Sequence, residues 1–273
     1  MIVDCFPYFN EKELLEFRIK LLNDYVDKFI IVDANRTHQG KVKPFTCKNT
    51  LKELGLDNEK VQVIELDLSW ADDEEDSWVR EKAQRNELAK YIKSNDICII
   101  SDCDEIIDPE CIPNAINVIE YNPGTTLILP MYYLLYRADI RSSAKWNASY
   151  VSKGSTIKNI TPSYYREKFA WGGNANDWDF PVFLLERADG KLGGWHFSWM
   201  GNNSIRKVKN ESMATHGTLN EEAKDTIMSF EPQLGGKDLF GRENNILSKF
   251  DTTLLPKIIW DLPNVKNFLF PEK

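Results

Sequence analysis

Ile97-Cys98-Ile99-Ile100-Ser101-Asp102-Cys103-Asp104-Glu105-Ile106-Ile107-Asp108-Pro109 is the stretch on which the reading of this chain turns. Four apolar residues in a row suit a strand covered on both faces. Carboxylates just past its end stand where open α/β sheets hold their ligands. Two acids one residue apart on a rigid strand end can share a divalent cation, one binding it directly and the other through water or through hydroxyls of the ligand. Hard oxygen ligands, few in number, suit Mg²⁺ or Mn²⁺ with a substrate diphosphate completing the shell. A polar turn after a strand is the competing reading, and Asp-x-Asp by itself does not choose between the two.

Upstream, strands and helices alternate. Val3 to Phe9 reads as a first strand, and Asn10 followed by Glu13 reads as a helix cap with an acid in the first turn. Leu14, Phe17, Leu21 and Tyr25, with Leu15 and Leu22 beside them, keep a helical period, and Phe29 to Val32 forms a second buried strand. This βαβ unit brings Pro7 to Glu11 and Asp33 to Thr37 to one sheet edge, where a nucleotide can lie. Asp33 suits the donors of a base or ribose. It equally suits a turn, because Asx side chains bond their own backbone. Thr50 to Leu56 reads as a short helix, Val61 to Leu66 as a strand, and the acidic run Asp72 to Asp76 as a loop and helix start. The helix expected over Trp78 to Lys93 carries Arg80, Arg85 and Asn86. Arg85 can reach a diphosphate, or form an exposed i,i+4 pair with Glu81.

Downstream, a helix is expected over Ile112 to Tyr121 and strands over Thr125 to Pro130 and Tyr132 to Tyr136. The loop Trp171-Gly172-Gly173-Asn174-Ala175-Asn176-Asp177-Trp178-Asp179 suits a carbohydrate, since indoles stack on sugar rings and acids or amides bind hydroxyls. Trp195 and His196 follow two glycines, and Ser204 to His216 reads as a helix with Arg206, Lys207 and Lys209. His196 is either a nitrogen ligand or a hydrogen-bonded turn residue. The helical cations either close over a diphosphate or solvate a helix face.

Composition narrows the classes. With 273 residues, 42% hydrophobic and 12% aromatic, the chain can bury a real core, and no apolar run is long enough to span a bilayer. A net charge of -8 argues against a nucleic-acid surface. Five cysteines, an odd number without a Cys-x-x-Cys pair, read as free thiols in a reducing compartment. No secretory signal is visible after Met1, so a cytoplasmic location is expected.

Taken together, the residues resemble glycosyltransferase family 17, the family of the bisecting β-1,4-N-acetylglucosaminyltransferase and its bacterial and viral relatives. The resemblance runs through Asp4 to Glu11, Val26 to Phe29, Asn35 to Thr37, Gly40, Lys43-Pro44, Trp78, Arg80-Glu81, Gln84 to Asn86, Asp102 to Ile106, Gly194 to Trp199, Lys207 and His216. It implies a GT-A glycosyltransferase fold, an α/β architecture with a mixed central sheet. A Rossmann-like nucleotide-binding half (about 1–121) would join a strand-rich acceptor half (about 122–273) in one catalytic domain. It also implies an inverting enzyme with a UDP-sugar donor, a glycan acceptor and a Mn²⁺ or Mg²⁺ cofactor.

By that resemblance Asp104 is the direct metal ligand, Asp102 its partner toward ribose and metal water, and His196 is at or near the metal. Nucleotide-sugar contacts are expected from Pro7, Asn10, Glu11, Asp33, Arg36, Arg80, Arg85, Asn86, Asp102 and Lys207. Trp171, Trp178 and Trp195 are the acceptor candidates. Asp179 and Asp177 are the candidates for the base, with Glu167 behind them. Rival readings are the same fold with UDP-glucose or a GDP-sugar, a metal-dependent sugar-phosphate nucleotidyltransferase, and a non-catalytic carbohydrate-binding protein. Phe6 to Glu11 holds no glycine, which counts against a nucleotidyltransferase phosphate loop.

Overall fold

The computed structural model describes residues 1–170, 181–213, 230–238, 241–243 and 245–271. Among the described residues ten strands form one mixed sheet, flanked by helices on both faces. In chain order the strands are β1 (Ile2–Tyr8), β2 (Lys28–Ala34), β3 (Val61–Leu66), β4 (Ile97–Ile100), β5 (Glu105–Ile107), β6 (Thr126–Leu135), β7 (Ile140–Lys153), β8 (Val182–Leu184), β9 (Gly194–Ser198) and β10 (Leu247–Lys249). Their order across the sheet is β3-β2-β1-β4-β7-β6-β9-β5, with β10 on β7 and β8 on β6.

The first four strands are mutually parallel and β7 runs antiparallel to β4. The sheet therefore changes sense at β4, and the carboxylates follow its C-terminal end, the position favoured for ligands in open α/β sheets. Every residue of β4 is buried, as its unbroken apolar run requires. At about 1.5–3 kcal/mol for each large apolar side chain, this strand is a major anchor of the site.

Helix α1 (Lys12–Leu22) packs on one face of the sheet, and α3 (Ser77–Glu87) leads into β4 from the other. Asn10 does not cap α1. It takes a left-handed conformation (φ +57°) and accepts the Thr46 hydroxyl at 2.5 Å, while Glu11 precedes the helix and its carboxylate accepts the Phe9 N–H at 2.6 Å. Asp76 caps α3 by accepting the Trp78 N–H at 3.0 Å, so the acidic run does start a helix. The α-helix stops at Glu87 and continues as a tight turn over Leu88–Lys90, short of the expected Lys93. The helix expected from Thr50 lies earlier, at α2 (Cys47–Glu53).

In the second half, α4 (Ile112–Tyr121) is followed by β6, which runs through Pro130 as one strand instead of two, with register shifts after Leu129 and after Tyr132. The 14-residue β7 was not expected. Helices α5 (Gly154–Asn159), α6 (Pro162–Ala170), α7 (Asn203–Ser212) and α8 (Pro263–Leu269) complete the α-helices among the described residues. Gly194 lets β9 approach β5, since a Cβ there would stand 2.3 Å from the Ile106 carbonyl oxygen. Among the described residues no helix is long and apolar enough to cross a membrane.

Candidate active site

Strand pairing assembles the centre. Glu105 of β5 lies opposite His196 of β9, and the Phe197 N–H donates to the Asp104 carbonyl at 2.8 Å. Two segments 90 residues apart thus place Asp104, Glu105 and His196 side by side, each offering one ligand atom within 4.8 Å of the others. The His196 ring stacks on Tyr133 (5.1 Å between centroids) and packs against Trp146 (4.4 Å). Its Nε2 is 3.6 Å from Asp104 Oδ1, and its buried Nδ1 has no hydrogen-bond partner.

Asp104 Oδ2 accepts from Lys209 of α7 at 2.7 Å. Burial would raise the Asp104 pKa, but Lys209 and His196 outweigh it and hold the carboxyl far below the usual range. Asp102 is clamped by two arginines. Arg85 of α3 holds Oδ1 while bonding Glu81, and Arg166 of α6 holds Oδ2 at 2.6 Å. These charges overcome desolvation and lower the Asp102 pKa to about 2. Glu105 accepts from Trp146 Nε1 (2.6 Å), Arg166 Nη1 (2.5 Å), Ser149 Oγ (2.8 Å) and the Asp102 N–H (3.0 Å).

Asp104 and His196 therefore fit a hard divalent cation, because a carboxylate oxygen and the imidazole Nε2 face each other across 3.6 Å with Glu105 beside them. Glu105 is already satisfied by four donors. It adds negative charge beside the pair, and Asp102 stands next to it as an arginine-held neighbour.

The turn bearing these acids is fastened from below by Arg18 of α1, which is fully buried. Its guanidinium donates to both oxygens of Asp4 (2.6 and 2.7 Å), to Ser101 Oγ (2.7 Å) and to the carbonyls of Asp102 (2.6 Å) and Glu105 (3.0 Å). Sequence reading passed over Arg18, although it falls on the apolar stripe of α1, three residues past Leu15 and four past Leu14. Glu105 was named only within the motif. Arg166 carries no sequence signal. It reaches the site because the Ser163 N–H donates to Asn86 Oδ1 (2.9 Å) and Lys82 pairs with Glu167 (2.6 Å), docking α6 on α3.

The structure brings Asp102, Asp104, Arg85 and His196 together, with Lys209 rather than Lys207 reaching Asp104. Lys207 is half exposed and 4.0 Å from Glu211. The Glu81–Arg85 pair exists but is buried, not exposed. Asp33 is fully buried, accepting from Lys43 (2.6 Å) and from the N–H groups of Thr46 (2.7 Å) and Cys47 (2.9 Å). Arg36 pairs with Asp72, and Arg80 donates to the carbonyls of His38, Ala71 and Glu74. Pro7 lies in β1 opposite Val32. Trp195, on the opposite face of β9 from His196, is packed into the core. Trp171, Asp177, Trp178, Asp179 and His216 lie outside the described residues.

Glu11 borders the centre from the start of α1. Burial, with a smaller push from Asp104, raises its carboxyl to about 8 against the pull of Lys209. A raised folded-state pKa means that this group's contribution to stability is present below its ordinary value and is lost as pH climbs toward 8. The Tm of Glu11→Gln should therefore gain on that of the wild type between pH 5 and pH 8.5 in thermal melts; a constant gap would show Glu11 to be solvated.

The model of glycosyltransferase family 17 matches residues 1–161. Comparison with curated proteins gives no match. Among solved structures, the chain is similar to 4-diphosphocytidyl-2C-methyl-D-erythritol synthase (13% identity, TM-score 0.39, 70% of this chain and 91% of that one). It is also similar to residues 1–349 of S. aureus TarS (13%, 0.42, 84% and 70%) and to mannose-6-phosphate isomerase from Helicobacter pylori (14%, 0.38, 60% and 77%). The family match covers the strand-end acids, the arginine clamp on α3 and the Arg18 support in one continuous stretch, and the chain belongs to glycosyltransferase family 17.

Proposed function

We propose that this glycosyltransferase is metal-dependent and inverting, moving a sugar from a UDP-sugar, N-acetylglucosamine first among the candidates, to a hydroxyl of a glycan acceptor. The observation that supports the metal is the Asp104 carboxylate facing His196 Nε2 at the sense change of the sheet. Asp104 and His196 would hold Mn²⁺ or Mg²⁺, whose chemistry there is to neutralise the charge gathering on the departing diphosphate.

Lys209 adds a second positive charge beside that point. Arg85 and Arg166 hold the two oxygens of Asp102, and we assign this restrained carboxylate to the ribose side of the donor. The acceptor hydroxyl gives its proton to a carboxylate base as its oxygen bonds the anomeric carbon. The bond to the diphosphate breaks with its electron pair leaving on phosphate oxygen, which inverts the anomeric centre. Asp179 and Asp177 are proposed as that base, and Trp171 and Trp178 as acceptor contacts. Pro7, Asn10, Asn86 and Lys207 remain proposed donor contacts around the nucleotide edge. For Asp33, Arg36 and Arg80, held by internal partners, and for Trp195, packed in the core, the proposal is indirect.

Calorimetric titration with UDP, GDP and CDP, with and without Mn²⁺, tests the reading. UDP is expected to bind only with metal. Metal-independent binding, or none, defeats the proposal, whereas preference for GDP defeats only the donor.

A further inference from the structure

A pocket of about 330 Å³ opens between the start of α1, α7 and α8, next to Lys209. Phe9 and Phe268, both partly exposed, supply aromatic walls above the fully buried Phe197, and Asn10, Glu11 and Lys209 supply the polar edge. Lys209 Nζ is 2.7 Å from Asp104 Oδ2, so an occupant lies one side chain away from the carboxylate assigned to the metal. The volume is at the small end for ligand sites, room for one ring and too little for a nucleoside diphosphate. The Glu13 carboxylate on the wall disfavours a phosphate. At the rim, α7 leaves Val208 about half exposed (55%), an apolar side chain lining the pocket.

We propose that this pocket is a subsite for one pyranose ring, whose apolar face lies on the phenylalanines and whose hydroxyls meet Glu11, Asn10 and Lys209. Aromatic faces with a few convergent polar groups are the chemistry that recognises a sugar ring. The inference rests on the glycosyltransferase reading and deepens it by locating one of the two sugars. The ring belongs either to the acceptor or to the donor, and the two sources separate in the test.

Val208→Trp fills the pocket from an exposed helix position, and Glu11→Gln changes its polar edge. Sugar binding is followed by saturation-transfer NMR with the methyl glycosides of glucose, galactose, mannose and N-acetylglucosamine, and with UDP-N-acetylglucosamine, all with Mg²⁺. UDP affinity is followed by calorimetry. In Val208→Trp the affinity for one of these sugars is expected to fall about tenfold or more while UDP affinity stays within about twofold, and Glu11→Gln should weaken the same sugar by about threefold or more. Loss confined to a free glycoside marks the acceptor, and loss of the advantage of UDP-N-acetylglucosamine over UDP marks the donor sugar; both uphold the subsite. Sugar affinities within about twofold of wild type in Val208→Trp, or no sugar signal in the wild type, overturn it. If wild-type protein binds a glycoside lost in Val208→Trp yet never binds UDP, the donor reading fails and the subsite stands.

Discussion

Asp104→Asn is expected to abolish metal-dependent UDP binding and to lower sugar transfer by about 10³-fold, with a moderate loss of thermal stability, because Lys209 loses its anion but is partly exposed and keeps some of its water. The carboxylate is the charged partner of both His196 and Lys209, and a neutral amide withdraws the hard anionic oxygen that a divalent cation requires. The amide keeps the shape and can still accept from Lys209, so the turn is retained. The backbone supports this, because the Asp104 carbonyl is bonded by Phe197 and its neighbours are held by Arg18, neither of which involves the Asp104 side chain. Calorimetry with Mn²⁺ and UDP beside a thermal melt checks the result. Retained metal-dependent binding removes Asp104 from the centre, and a collapsed melt makes it a structural residue.

Arg18→Met has the larger effect on stability. It removes a fully buried guanidinium and leaves Asp4, equally buried, without its cation, while the Ser101 hydroxyl loses its Arg18 donor and the Asp102 and Glu105 carbonyls each lose one of two donors. Breaking one side of a buried ion pair costs about 3–5 kcal/mol, because the charge left behind has lost both water and its partner. A chain of this length should then melt roughly 10 °C lower. The double variant Asp4→Leu/Arg18→Met is expected to recover part of the loss, since no unpaired charge remains, and to stay less active because the Asp102 and Glu105 carbonyls still lack the guanidinium that ties the turn to α1. Denaturant titration of both variants is the measurement. A loss below about 1 kcal/mol in the single variant would mean that water reaches Asp4.

Much of the fold could be read from the chain because it depends on local pattern. The apolar run of β4, the βαβ period before it and the acids at its end are properties of neighbouring residues, and β1, β2, β3 and α4 fall close to where pattern places them. Asn10 misled as a cap because an Asx residue also tolerates the left-handed conformation, which here turns the chain out of β1. The long β7 escaped notice because its burial depends on which strands it joins. It lies between β4 and β6, with much of its first half at the surface.

The site divides along the same line. Asp102, Asp104, Arg85 and His196 were recognisable from residue type, spacing and family resemblance. Their partners were not, because a hydrogen bond from Arg166 to Asp102 and Glu105, or from Lys209 to Asp104, spans more than 60 residues and exists only once the helices have docked. The choice between Lys207 and Lys209 turns on which face of α7 meets the sheet, a matter of packing that spacing along the helix leaves open. By itself the sequence determined a carboxylate turn at the end of a buried strand and the family that carries it. Only the tertiary structure decided which cations neutralise those acids, that Glu105 faces His196 across β5 and β9, and that Arg18 supports the turn from the core, because desolvated charges find partners by proximity in space and not by order in the chain.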